Sequence, residues 1–491
     1  MSLAVRRGLI ALLAVLFAEA VWIITVPPFR GSDEIDHVYR ASGVASGQIH
    51  LSQGAAHGRG TLVWVPTDIV KAAQEQCDSL VYVGSDNCHA VQTAGGRSLV
   101  ATAAAGYEPT FYMLVGTAAK PFHGAAADYA MRATTALLCA LLLALGVGVM
   151  SFAGTDRWVN LGILAALTPE VLFSGAIPSP NGVEMGLAFV LWAALLVAIR
   201  RGEDHRLQRG MLVVAGVAAF PLTFLRLLGP MWIVLIVSAV AAVAGLGTTR
   251  DLVRRHLPVV CVVAVTTLAG VMWWRVWQVI ASHATASQSQ PDSKNWLLAF
   301  NLPAWTMQMV GAFPFRDEPA PFWIYPLSFF VIGLLVWAAW RRGAERRTRR
   351  AVLGIAMVTL LVPVVLSVLY MPSAGAVWQG RYELPFVIGF LPLCGLVLDD
   401  VGFAPVEGSR LRALSYVFLV IPQVVCVYHV QQLELARPES AGDPNWWHPP
   451  GVVLGVFMLV ACAVAVQLTR QKDGSGPLSS VDESARVGTP S

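Results

Sequence analysis

The sequence predicts an all-α polytopic membrane protein of about twelve spanning helices with a large first extracytoplasmic loop. Of 491 residues, 56% are hydrophobic and 13% are charged, against roughly 25% charged in a soluble domain. Apolar runs recur along most of the chain, each close to the roughly 20 residues a helix needs to cross the hydrocarbon core. A strand-built barrel needs alternating segments of about ten residues instead. Backbone polar groups in lipid are satisfied within each segment, so the runs are helices.

Charge placement orients them. Arginines gather at Arg6 and Arg7, at Arg200, Arg201, Arg206 and Arg209, at Arg250, Arg254 and Arg255, and between Arg341 and Arg350. The positive-inside rule puts those connections in the cytoplasm. Scattered over short loops, they form no single basic patch, which argues against nucleic acid as a partner.

The first run, Leu9 to Val26, follows Arg6 and Arg7 but has no small-residue cleavage site and ends in Pro27-Pro28. It reads as a retained first helix, closing a segment 1–26. With the amino terminus inside, runs near 8–26, 128–150, 158–174, 183–199, 210–227, 229–246, 257–280, 322–340, 351–370, 382–398, 411–430 and 451–469 alternate so that every arginine-rich connection lies inside. Segment 27–127 is then the first external loop, and its apolar stretch Tyr107 to Phe122 reads as an interfacial helix. Helices two to seven occupy 128–280, a second external loop 281–321, and helices eight to twelve 322–469. The polar segment 470–491 has too little apolar surface for a core and reads as a disordered cytoplasmic tail. Cys77 and Cys88 share the first loop, and a disulfide is expected if that loop faces an oxidising space.

Chemistry concentrates outside. Directly after the first helix come Asp33, Glu34, Asp36 and His37. One reading is a catalytic base at this cluster, with Asp33 and Glu34 as hard ligands of a divalent cation such as magnesium or manganese. The other is a solvated loop whose acidic residues favour a helix start. At the same outer level lie Asn181 and Glu184, Arg226, Arg316 and Asp317, and Gln379, Arg381 and Tyr382. Ionisable groups at a membrane are costly and tend to face a cavity or a partner. Arginine forks suit phosphate oxygens, and carboxylates with histidine beside them suit proton transfer from a hydroxyl. Taken singly, each arginine also fits snorkelling to lipid headgroups or a packing ion pair.

The acidic motif after Pro27-Pro28, the segment Tyr107-Glu108-Pro109-Thr110-Phe111-Tyr112, Thr168-Pro169 leading to Pro180-Asn181 and Glu184, Gln308-Met309-Val310-Gly311, and Gln379-Gly380-Arg381-Tyr382 together resemble a bacterial membrane-protein family, domain of unknown function 2142. The resemblance runs from about residue 10 to 430. Where that family often has Asn-Pro and Gly-Trp-x-Asp, this chain has Ser179-Pro180 and Pro314-Phe315-Arg316-Asp317. The family in turn is similar to the C-type (GT-C) glycosyltransferases. That resemblance implies a GT-C-like fold and an inverting transfer of sugar from a polyprenyl-phosphate donor to a cell-envelope glycan or glycolipid, outside the bacterial cytoplasmic membrane. It implies Asp33 as the general base, with Glu34 assisting or binding a metal and His37 beside them. Arg226, Arg381 and Arg316 are the expected phosphate ligands on physical grounds. Asp36, Tyr112, Asn181, Glu184, Asp317, Gln379 and Tyr382 are expected to contact substrate. A rival reading, a transporter or flippase for a lipid-linked sugar or anionic precursor, calls for broken helices and charges near the midplane.

Overall fold

The computed structural model describes residues 2–80, 83–154, 157–282, 301–314, 318–374, 378–404 and 408–467. The expected tail at 470–491 lies outside the described residues, as do Arg316 and Asp317.

Helix α1 (Leu3–Thr25) stops at Pro27-Pro28, where two consecutive residues lack an N–H to continue the ladder. The first loop then folds as a small domain of α2 (Glu34–Ala45), β1 (Thr61–Pro66), α3 (Thr67–Asp78), α4 (Ser85–Cys88), β2 (Gln92–Ala94), β3 (Arg97–Thr102) and α5 (Pro109–Ala119). The strands form an antiparallel sheet in the order β1-β3-β2, an element absent from the sequence reading. Val63, Val65 and Val100 are buried. Val63 fills the space beside Gly43 of α2, where a Cβ would lie 2.3 Å from the valine. Cys77 and Cys88 are bonded, with Cα atoms 5.3 Å apart, tying α3 to α4. The stretch expected as an interfacial helix contains α5, opened by Pro109 and capped by the Glu108 side chain, which accepts from the Thr110 N–H.

The helical bundle continues with α6 (Ala125–Met150), α7 (Arg157–Ala166), α8 (Pro169–Gly175), α9 (Pro180–Arg200), α10 (His205–Leu225), α11 (Gly229–Ala244), α12 (Leu246–Arg255) and α13 (Leu257–Ser282). After the short α14 (Leu302–Gln308) and the hairpin β4 (Ala312–Phe313) and β5 (Glu318–Pro319) come α15 (Ile324–Arg342), α16 (Arg346–Ala374), α17 (Leu384–Asp400), α18 (Gly408–Leu435), α19 (Pro438–Ala441) and α20 (Gly451–Val466). Nine helices among the described residues are long and apolar enough to cross a membrane, or up to eleven if the bent pairs α7–α8 and α11–α12 each count as one span. The run expected at 451–469 is α20, an apolar helix of 16 residues.

Burial ranks these helices. In α9 and α17, 89% of the apolar window is buried, against 6% in α13 and 17% in α16. A helix apolar on every side belongs either at the centre of a bundle or against lipid. The first pair is the centre and the second the rim. Trp192 of α9, wholly buried, lies across Gly389 of α17, where a Cβ would stand 1.9 Å from the indole. α9 also carries Glu184, and the turn that opens α17 carries Arg381, so the packing of the core fixes the site.

Candidate active site

The loop between α1 and α2 is bound down at four successive points. The Phe29 N–H donates to Asp128 (3.1 Å), Arg30 Nε to Glu434 (2.8 Å), the Gly31 N–H to Glu34 (2.6 Å), and the Ser32 hydroxyl to the Pro314 carbonyl. Asp33 follows in the left-handed region, with φ 56°. Asp is one of few residues that enter this region at modest cost, and local strain of this kind is often held at functional sites. The turn sends the carboxylate toward the turn Gly380–Glu383 that leads into α17, where Arg381 Nη2 donates to Asp33 Oδ2 at 2.6 Å. Asp33 keeps 29% of its side chain exposed while Arg381 keeps 5%, so the carboxylate is presented and the guanidinium is held.

Glu34, one residue on, is consumed by structure. Arg132 of α6 donates from Nε to Oε1 and from Nη2 to Oε2, both at 2.7 Å, with both side chains fully buried. The same guanidinium donates to the carbonyls of Ile23, Val26 and Pro27. Arg132 therefore clasps the end of α1 to the start of α2. Asp36 accepts from the Ala103 N–H at 2.6 Å, and burial pushes its carboxyl up to about 6. His37 shares a 2.8 Å hydrogen bond with the Tyr112 hydroxyl, and burial pushes it down to about 3, so the ring is neutral at physiological pH.

These contacts do not suit a metal shared by Asp33 and Glu34. Among the described residues no group of three or more His, Cys, Asp or Glu side chains converges. Both Glu34 oxygens already serve Arg132, and Asp33 meets a cation from the protein itself. Hard divalent ions want several oxygen ligands, and this donor set does not supply them.

On the other side of Arg381 a cationic wall forms. Arg226 ends α10 and donates to Glu184 of α9 at 3.0 Å. Its guanidinium lies 4.6 Å from the centroid of the Tyr382 ring, and that of Arg381 lies 5.7 Å from the same centroid. Tyr107 interacts electrostatically with Arg226. Arg226, Tyr107 and Tyr382 face a cavity of about 640 Å³ whose remaining wall is largely apolar, with Phe224, Leu225, Leu228, Met231 and Leu366 among its residues. Arg226 Nε, Trp274 Nε1, Trp378 Nε1 and Ser367 Oγ belong to residues lining this cavity and are buried without a protein partner. Buried donors are normally paired. A largely apolar cavity with Arg226, Tyr107 and Tyr382 in its wall suits a ligand with a polar, oxygen-rich head and a hydrocarbon body.

Asn181 and Gln379 complete the expected set. Asn181 donates to Ser179 Oγ at 3.0 Å near the start of α9, leaving its own carbonyl oxygen buried and unpaired. Gln379 is buried just before the turn Gly380–Glu383 that leads into α17. The separated motifs also meet one another. Gln308 accepts from the Gly380 N–H (2.8 Å), Thr168 donates to the Met309 carbonyl (2.8 Å), and Glu170 accepts from the Ala312 N–H (3.0 Å). Sequence reasoning does not place Tyr107, Trp274, Trp378, Arg132 or Arg30 among the site residues. Tyr107 was within reach, since it opens the motif that contains Tyr112. The tryptophans resemble ordinary interfacial residues in a sequence, and Arg132 is concealed in an apolar run.

A family model described as "Predicted membrane protein (DUF2142)" matches residues 16–390. No curated protein matches the chain. Among solved structures, ArnT from Cupriavidus metallidurans bound to undecaprenyl phosphate is similar with a TM-score of 0.41 and 17% identity, covering 93% of this chain and 77% of that one. ArnT from the same organism in the apo state gives a TM-score of 0.35 and 15% identity, covering 87% and 75%.

Proposed function

This chain belongs to the DUF2142 family of predicted membrane proteins, and from the geometry of its site we propose that it is an inverting glycosyltransferase using a polyprenyl-phosphate sugar as donor. The acceptor is a hydroxyl of a cell-envelope glycan or glycolipid, and the site faces the outside of the bacterial cytoplasmic membrane. One observation carries the reading. A presented carboxylate, Asp33, is joined at 2.6 Å to a guanidinium stacked on the ring that walls the amphipathic cavity.

In this reading the isoprenoid chain lies along the apolar wall and the phosphate sits against Arg226 and Arg381. Phosphate arriving at Arg381 competes with Asp33 for the guanidinium and loosens the ion pair, leaving the carboxylate to act as base. Asp33 takes the proton of the acceptor hydroxyl as its oxygen bonds to the anomeric carbon. The bond from that carbon to the phosphate oxygen breaks, and the lipid phosphate leaves with the electron pair. Fixed cations at the departing oxygen stabilise the charge that develops there. Glu34 takes a positioning role: with Arg132 it holds the backbone from which Asp33 projects. Neutral His37, bonded to Tyr112, buttresses α2 behind it.

Transport of a lipid-linked sugar is the second reading. The α7–α8 span is broken by 61°, and Glu19 of α1 has both carboxyl oxygens buried without a protein partner. Glycan analysis of cells carrying Asp33→Asn, at matched membrane abundance, tests the transferase. Loss of one sugar substituent is expected, and an unchanged glycan overturns it. Sugar transfer by the purified protein from donor to acceptor, with no second compartment present, separates catalysis from transport.

A further inference from the structure

The helices that build the site also build a second cavity at their far ends. Glu184 and Arg200 are sixteen residues apart on α9, roughly 24 Å along a helix. In the same sense α11 runs from Gly229 beside Arg226 to Ala244, and α17 from the Arg381 turn to Asp400. Between these three ends and the start of α16 lies a cavity of about 330 Å³. Its floor is aliphatic, with Leu196, Val240, Val243, Leu393 and Val397. Its rim is bipolar: Arg200 pairs with Asp400, and Arg347 pairs with Glu345 at 2.9 Å. Arg347 is seated by Gly245, which turns the chain between α11 and α12 at φ +86° and where a Cβ would lie 2.0 Å from Nη1. The neighbouring Asp399 is occupied elsewhere, accepting from the N–H groups of Trp158 and Val159.

We propose that this cavity is a binding site for a phospholipid whose headgroup carries both a phosphate and a primary ammonium. The phosphate bridges Arg200 and Arg347, the ammonium donates to Asp400 and Glu345, and one acyl chain enters the aliphatic floor. Two guanidiniums and two carboxylates leave the rim without net charge. An anionic headgroup would leave Asp400 and Glu345 opposing it, and a quaternary ammonium has no N–H to give them. The site is independent of the proposed transfer reaction and is read by binding alone.

The experiment is native mass spectrometry of the full-length protein in detergent, titrated separately with dioleoyl phosphatidylethanolamine, phosphatidylcholine and phosphatidylglycerol. The ethanolamine lipid is expected to be retained best. Arg347→Ala and Asp400→Asn should each lower that retention roughly tenfold, the scale of a lost charge-assisted hydrogen bond. Both side chains are about half exposed, at 48% and 53%, so neither change threatens the fold. Equal retention of the three lipids, a preference for the glycerol lipid, or retention unchanged in both variants overturns the proposal.

Discussion

Arg381 and Asp33, 348 positions apart in the chain, meet at 2.6 Å. Because Asp33 is partly exposed and Arg381 is not, the two ends of this contact respond differently to mutation. Asp33→Asn keeps the shape and a hydrogen-bond acceptor but removes the base. Transfer should fall by roughly 10²-fold to 10⁴-fold, the usual weight of general-base catalysis, with membrane abundance unchanged. Single-turnover transfer by the purified variant checks this; near-native turnover would remove Asp33 from the chemistry.

Glu34→Ala should behave in the opposite way. It takes from fully buried Arg132 its bidentate carboxylate partner, leaving only Asp128 at 3.2 Å, and removing one member of a buried ion-pair network costs up to about 3–5 kcal/mol. The expected outcome is low membrane abundance and early thermal unfolding in detergent. A well-folded but inactive Glu34→Ala protein would instead place Glu34 in the reaction itself.

Much of this arrangement was legible beforehand. The described parts of all twelve apolar runs fall on helices or bent helix pairs, because hydropathy answers to lipid alone. Asp33, Arg226 and Arg381 stood out because charge beside a membrane is expensive. What the sequence concealed was pairing. Nothing local in Asp33-Glu34 distinguishes the presented carboxylate from the sealed one. The difference arises at Arg132, 98 residues away, and in the left-handed backbone at Asp33. The sheet β1-β3-β2 is hidden from the sequence for a similar reason: its strands are at most six residues long, β2 is exposed throughout, and β1 and β3 acquire a buried face only when α2 packs on them.

The disulfide offers a test of orientation. Cys77 and Cys88 enclose a short loop, and in the chain-entropy account its bond contributes roughly 2–3 kcal/mol. In intact cells the pair should resist a membrane-impermeant maleimide until an external reductant is added. Immediate labelling of both thiols without reductant would show that the bond does not form there.

Acid–base behaviour away from the membrane-spanning helices has a predicted sign. Burial, reinforced by Glu434, pushes the Glu318 carboxyl from its ordinary 4.5 up to about 8, against the pull of Arg437 and Arg30. The folded chain holds this proton more tightly than the unfolded chain. Its stabilising contribution is therefore complete below about pH 4 and is lost as the pH rises toward 8. Glu318→Gln should flatten that part of the profile, gaining on the native protein at pH 8 relative to pH 5 in thermal unfolding. A parallel shift at both values would mean that Glu318 ionises normally.

Arg226 is the sharpest probe of the cavity, because its guanidinium bonds to Glu184 while lying over the face of Tyr382, in the electrostatic field of Tyr107. Lysine keeps the charge but cannot bond sideways while stacking on a ring. If the cavity holds a donor phosphate, Arg226→Lys should raise KM for the donor by roughly tenfold to a hundredfold, as expected for one charge-assisted contact. The acceptor KM should stay unchanged. Tyr382→Phe should have little effect, since the ring and not the hydroxyl carries the stack, whereas Tyr382→Ala should reproduce the arginine defect. The same KM change for donor and acceptor alike would point to a general collapse of the site. A change confined to the acceptor would put the phosphate elsewhere and make Arg226 part of the acceptor's own binding surface.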